Sequence, residues 1–273
     1  MKELTLKEIQ TRQLELAIEI DKMCQRNNIT YYLISGSCLG AVRHGGFIPW
    51  DDDIDIALMR KDYDRFIDLF DKEFDPSKYI LTNDEREAQF TPSLSRIIFK
   101  GTELDEPQFS HLNFNKGMFL DVFPLDNVPN DMEKRMQQER ELRHINKLIH
   151  YKIWAKSTGR FSWIKNLTKT IRTIALLPIS LKSLKQQRYG IITRYKNTNT
   201  ECVSSMASKY GYSKHIMPRN VYGNPSRMDF DGYKLPFPEQ AHEHLRRLFG
   251  ENYMVIPPEA KREKPTRVFI AEK

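Results

Sequence analysis

Apolar and polar positions alternate most sharply through Asp53-Ile54-Asp55-Ile56-Ala57-Leu58. This pattern predicts a strand over Ile54 to Met59, with its acids on one face and its isoleucines on the other. Upstream, Leu6, Ile9, Leu16, Ala17, Ile20 and Cys24 recur at helical spacing behind Thr5-Leu6-Lys7-Glu8, which has capping-box spacing. They predict a first helix running toward Asn27-Asn28. Tyr31 to Ile34 reads as a buried strand, and Ser35-Gly36-Ser37 turns it into a short helix beginning at Cys38 and ending near His44-Gly45-Gly46. Phe47-Ile48-Pro49-Trp50 is apolar but holds a proline, which predicts a loop packed under the acidic run rather than a central strand.

Further on, Tyr63, Phe66, Ile67 and Phe70 form the core face of a helix opened by Arg60-Lys61-Asp62 and closed at Asp75-Pro76. Strands are predicted at Tyr79 to Leu81, Leu94 to Phe99 and Phe119 to Phe123. From Asp131 the character is helical. Met132 to Trp154 has long helical periodicity without glycine or proline, and Phe161, Ile164, Leu167, Ile171 and Ile174 form an apolar stripe. A turn at Asn197 to Thr200, a short strand or buried segment at Val203 to Ala207 and a hairpin over Met228 to Pro236 follow. Pro238-Glu239 then starts a helix that Gly250 ends. The tail Lys261-Arg262-Glu263-Lys264 reads as basic and mobile. The fold class is α+β, a mixed sheet flanked by helices. The expected division is a catalytic core over 1–130, a basic helical accessory region over 131–200 and C-terminal elements packing on the core over 201–273.

Charge changes this picture. The 273 residues carry a net +7, but residues 1–130 hold 15 Lys+Arg against 23 Asp+Glu, and residues 131–273 hold 28 against 13. From Leu142 to Thr200 there are 13 basic residues and no acid at all. A solvated helix normally mixes signs, so the stretch is expected to meet something anionic. Two readings stand for it: an interfacial helix on an anionic membrane, with Trp154 and Trp163 nearby, or a helix packed on the catalytic core. Nine uncharged residues between Arg172 and Lys182 are too few to span a bilayer. No leader pattern follows Met1, and Cys24, Cys38 and Cys202 have neither disulfide nor zinc spacing. A cytosolic protein with reduced thiols is expected, with peripheral contact at the inner membrane face as one reading of the basic stretch.

The candidate chemistry lies between Gly36 and Asp55. Four carboxylates stand within five residues, Asp51, Asp52, Asp53 and Asp55. Asp53 and Asp55 point the same way on a strand, where they repel each other unless a divalent cation sits between them, and their hard oxygens suit Mg2+. The strand, small-residue turn and helix N-terminus at Gly36 and Ser37 make an anion site. A phosphate cradle followed by a carboxylate pair is minimal equipment for phosphoryl or nucleotidyl transfer. Asp121 lies alone in a hydrophobic strand. It is either structural, as the partner of a buried arginine or a strand-end cap, or a third carboxylate beside Asp53 and Asp55. Asp126 reads as structural, and His44 as a residue that either fixes the loop or touches substrate. There is no CxxC pair, Walker-type lysine loop or Gly-x-Ser-x-Gly elbow.

The run Gly36-Ser37-Cys38-Leu39-Gly40-Ala41-Val42-Arg43-His44, followed by Gly46-Phe47-Ile48-Pro49-Trp50-Asp51-Asp52-Asp53-Ile54-Asp55, resembles the signature of the LicD family. Weaker similarity extends through Leu120 to Asp126 and to Tyr253 and Pro257-Pro258, and leaves out the middle of the chain. The resemblance implies the nucleotidyltransferase fold and a phosphotransferase related to fukutin-type enzymes. It implies that Asp53, Asp55 and Asp121 hold one or two Mg2+ and that Asp121 acts on the acceptor hydroxyl. Gly36, Ser37 and Arg43 would meet the donor phosphates. The implied donor is CDP-choline or another CDP-alcohol such as CDP-linked ribitol or glycerol phosphate. The implied acceptor is a teichoic acid precursor or other lipid-linked surface glycan, with CMP leaving. A nucleic-acid nucleotidyltransferase would share the carboxylates, but no nucleic-acid-binding module accompanies them, so no nucleic acid is expected.

Overall fold

The strand Asp55–Met59 feeds two separate cores because its side chains alternate. Ile56 and Leu58 are buried in one apolar cluster with Leu16, Ile20, Phe66 and Phe70, while Ala57 is buried in another with Leu125, Val203, Tyr222 and Leu248. The computed structural model describes residues 1–105, 112–157, 179–207 and 212–271. In chain order the elements are β1 (Lys2–Glu3), α1 (Leu6–Arg26), β2 (Tyr32–Leu33), α2 (Ser35–His44), β3 (Asp55–Met59), α3 (Arg60–Glu73), β4 (Tyr79–Thr82), β5 (Ser95–Phe99), β6 (Thr102–Leu104), β7 (Phe119–Val128) and α4 (Met132–Ser157). They continue as α5 (Leu181–Ile192), β8 (Cys202–Ser204), β9 (Met217–Pro218), α6 (Arg219–Tyr222), β10 (Ser226–Phe230), β11 (Tyr233–Phe237), α7 (Ala241–Phe249) and β12 (Val268–Ile270).

The main sheet has the order β2-β3-β7-β5-β4, with β8 and β9 continuing from the second half of β7. Only the β3–β7 pair is parallel; the other pairs are antiparallel. This is a mixed α+β architecture. The first helix begins where the sequence predicts it, because Thr5 and Glu8 cap each other reciprocally: Glu8 N–H donates to Thr5 Oγ1 at 3.3 Å and Thr5 N–H to Glu8 Oε2 at 2.8 Å. Strand β7 runs five residues beyond the expected end at Phe123, through Pro124 to Val128. Its partner β5 covers Phe119 to Val122 and β8 covers Asp126 to Val128. The proline lacks an N–H and falls in the gap between these two partners.

Helices α4 and α5 lie antiparallel over a third apolar cluster that includes Leu142, Ile145, Ile149, Leu184 and Ile192. Here several charges of the basic stretch are satisfied from within the protein. Arg188 pairs with Asp84 at 2.8 Å, Arg143 with Glu139 at 3.0 Å, and Arg194 with Glu141. Lys185 is buried and donates to three backbone carbonyls, of Asp84, Glu87 and Ala88, each at 2.9 Å. These partners lie outside the window, Glu139 and Glu141 just before it on α4 and the loop at Asp84 to Ala88 far from it, which is why a window lacking acids overstated the free charge. The stripe Phe161, Ile164, Leu167, Ile171 and Ile174, and Trp163 beside it, lie outside the described residues. Among the described residues no helix is long and apolar enough to cross a membrane.

Candidate active site

Parallel pairing of β3 with β7 sets Asp55 directly across from Asp121. Neighbouring strands are about 4.8 Å apart, so the two carboxylates leave the sheet side by side, on the face that carries Ala57 and Leu125. The chain entering β3 supplies Asp51, Asp52 and Asp53. Among the described residues these three form the group whose carboxylate oxygens all lie within 4.8 Å of one another. The sequence reading chose Asp53, Asp55 and Asp121. Asp121 is drawn the other way, toward Arg96: the Arg96 Nε donates to Asp121 Oδ1 at 2.8 Å and an Nη to Oδ2 at 3.4 Å. The same guanidinium lies 3.7 Å from the Phe119 ring centroid. Asp121 therefore has both a half-buried arginine partner and a place beside Asp55.

Helix α2 arrives at the same point. It starts at Ser35, three residues earlier than the sequence pattern predicts, so Gly36 and Ser37 occupy its first turn. The Ser37 hydroxyl does not cap its own helix; it accepts the Asp55 N–H at 2.9 Å. The N-cap residue Ile34 offers no side-chain bond and His244 Nε2 takes the Ser35 N–H at 3.4 Å, which leaves the Gly36 and Ser37 N–H groups of the first turn suited to an anion. A side chain at Gly36 would meet Asp51 Oδ2 at 2.9 Å from its first carbon, so any larger residue there would have to displace the Asp51 carboxylate. Arg43 stands at the other end of α2, about 10 Å along the axis by helical rise, and donates to His44 Nε2 and to the carbonyl of Tyr253 at 3.0 Å. The structure thus brings Gly36, Ser37, Asp53, Asp55 and Asp121 together and ties Arg43 to the C-terminal segment. His44 accepts from Arg43 and meets Trp50 edge-on, which places it with the loop.

Crowding the carboxylates has an electrostatic consequence. Burial, then the charges of Asp52 and Glu263, push Asp51 up to about 6. Burial, then Asp51, Asp52 and Asp121, push Asp53 up to about 8. Asp55 is held well above the usual carboxylate range by burial first and then by Asp53, Asp121 and Asp51. Asp121 is raised by burial even though Arg96 pulls the other way. Packing like charges without a basic partner for each is unfavourable unless a cation neutralises them, and hard oxygen donors this close fit a magnesium-sized ion.

Several residues here were not singled out from sequence. Asp51 and Asp52 lay in plain view in the acidic run, yet strand alternation favoured Asp53 and Asp55. Arg96 sits in a predicted strand, and only the β5–β7 register, which pairs it with Asp121, reveals its partner. The basic tail also reaches the acidic loop. Thr266 N–H donates to Asp52 Oδ2 at 2.6 Å, and the Arg262 guanidinium lies on the Trp50 indole at 4.3 Å. By contrast Asp126 is structural as predicted: buried, it accepts two hydrogen bonds from Arg60, at 2.8 and 2.7 Å.

A mixed sheet thus delivers carboxylates from two adjacent strands to the first turn of a helix. Residues 28–150 match the family described as LicD/FKTN/FKRP, nucleotidyltransferase domain. Over 272 residues, 98% of each chain, the protein is 28% identical to the lipopolysaccharide cholinephosphotransferase LicD of Haemophilus influenzae. It is 48% identical over 48 residues, 18% of each chain, to an uncharacterized protein of Rickettsia prowazekii. It is 50% identical over 34 residues to the human ribitol 5-phosphate transferase FKRP, covering 12% of this chain and 7% of that protein. The chain is a LicD-like phosphotransferase.

Proposed function

We propose that the protein transfers phosphocholine from CDP-choline to a hydroxyl of a lipid-linked surface glycan or teichoic acid precursor, releasing CMP. The observation that carries this reading is the convergence of Asp53, Asp55 and Asp121 at the first turn of α2. The near full-length similarity to a cholinephosphotransferase supports the choice of alcohol. In the reaction, the acceptor oxygen attacks the phosphorus that carries choline. The bond from that phosphorus to the bridging oxygen breaks, and CMP leaves with the electron pair. Gly36 and Ser37 present backbone N–H groups to the donor phosphates. Asp53 and Asp55, with Asp121 completing the site, would hold one or two magnesium ions, which when bound neutralise phosphate charge and polarise the transferring group. Asp121 takes the acceptor proton; Arg96 grips its Oδ1 at 2.8 Å and leaves Oδ2, at 3.4 Å, the freer oxygen.

A second donor is favoured by one observation, the local identity to a ribitol 5-phosphate transferase. The test is CMP release from CDP-choline, CDP-ribitol and CDP-glycerol, each with and without magnesium. Preferential, magnesium-dependent release from CDP-choline is expected. Release from CDP-ribitol alone would reassign the alcohol, and release without the metal would remove magnesium from the reading.

A further inference from the structure

The segment from Pro257 to Arg267 crosses the acidic loop. It is held at its far end, where Thr266 N–H donates to Asp52 Oδ2 at 2.6 Å and β12 pairs with both β1 and β6. Within it, Arg262 is fixed twice: its guanidinium carbon lies 4.3 Å from the Trp50 ring centroid, and its Nε donates to the Pro257 carbonyl at 3.2 Å. Trp50 immediately precedes Asp51, so a stacked arginine stands at the edge of the carboxylate cluster.

The surroundings of Arg262 make its lack of an ionic partner informative. Asp51, Asp52 and Asp53 are nearby, and its own neighbour Glu263 is close enough that its charge acts on all three. A half-buried arginine among so many carboxylates relaxes into an ion pair unless something aims it elsewhere. Among the described residues Arg262 forms no ion pair, whereas the neighbouring Arg267 pairs with Glu3 and Asp105. The indole lies against the guanidinium and Pro257 takes the Nε, which leaves the two terminal nitrogens without a hydrogen-bond partner among the described residues. The guanidinium fork matches phosphate oxygens in pairs, and stacking on an aromatic face organises it before the anion arrives.

We infer that Arg262 binds the diphosphate of a nucleoside-diphosphate-linked donor, so that the C-terminal segment completes the active site opposite the N-terminus of α2. This inference rests on the transferase reading above. Arg262 then takes the phosphate role that the sequence assigned to Arg43, whose guanidinium is engaged by the Tyr253 and Val255 carbonyls. Lysine serves less well at this position, since it brings the charge without the planar fork.

The test uses the full chain and three variants, Arg262→Ala, Arg262→Gln and Arg262→Lys. Calorimetry measures magnesium alone and then CDP-choline with magnesium present, and steady-state kinetics gives the donor KM. In Arg262→Ala and Arg262→Gln, affinity for CDP-choline should fall about ten- to hundredfold, as expected for loss of charge-assisted hydrogen bonds. The donor KM should rise in step, with kcat changing far less. Magnesium affinity and the thermal midpoint should stay at wild-type values, which a merely structural role would not give, and Arg262→Lys should recover part of the loss. Wild-type donor affinity in the alanine and glutamine variants would overturn the role of Arg262 alone. If the wild-type chain itself binds no CDP-alcohol, the transferase reading fails and this inference fails with it.

Discussion

The Ser37 hydroxyl accepts the backbone N–H of Asp55 at 2.9 Å, which ties the first turn of α2 to the first residue of β3. One hydrogen bond thus sets the separation between the place where phosphate is expected and the strand that carries the acids. Removing it in Ser37→Ala leaves a half-buried N–H without a partner, at a cost of about 1–3 kcal/mol. Chemical denaturation should show that loss. CMP release should fall more than stability does, because the geometry of the site depends on this contact; full activity in a destabilised variant would separate the bond from catalysis.

Asp53→Asn or Asp55→Asn should abolish turnover. Each substitution removes one of several crowded charges, so the metal-free protein should melt at the same temperature as wild type or higher. Activity equal to wild type in either variant would refute the assignment. Asp121→Asn should lose at least about a hundredfold in rate, the scale of a general base, while CDP-choline binding persists. An unchanged rate would return Asp121 to the role of Arg96's structural partner.

The pair Arg60 and Asp126 lies away from the acids, at the other end of β7, and is buried. Arg60→Ala strands the Asp126 carboxylate in the core and should cost about 3–5 kcal/mol. Replacing both partners with apolar residues of similar size should cost much less. Equal losses in the single and double variants, measured by urea denaturation, would contradict this.

His244 is buried against Tyr222, with ring centroids 5.6 Å apart, and its Nε2 accepts the Ser35 N–H at 3.4 Å. Burial, then the charge of His215, depress it from 6.5 to about 3. A base whose pKa is lowered by folding favours the folded state above its unfolded pKa, and that contribution is lost as pH falls. Between pH 6.5 and 5 it should amount to about 2 kcal/mol, at about 1.4 kcal/mol per unit. His244→Gln should flatten the stability curve by that amount in this window. His215, itself lowered to about 4, leaves a residual slope. A curve parallel to wild type would show that His244 titrates freely.

What the sequence determined by itself is what neighbouring residues decide among themselves. The capping box at Thr5 and Glu8, the apolar face of α3 and the acid-isoleucine alternation into β3 depend on spacings of a few residues, and the structure keeps all three. The acidic run and the glycine-serine turn located the site for the same reason. Tertiary structure decided which groups face one another. Arg96 meets Asp121 across the β5–β7 register, Arg60 finds Asp126 at a separation of 66 residues, and Thr266 reaches Asp52 across 214. The basic stretch shows the limit most plainly. Counted along the chain, Lys185 and Arg188 were unbalanced charges, yet in space both are buried against the loop after β4, on carbonyls and on Asp84. The partner of a charge is set by chain folding over long separations, and no local window contains it.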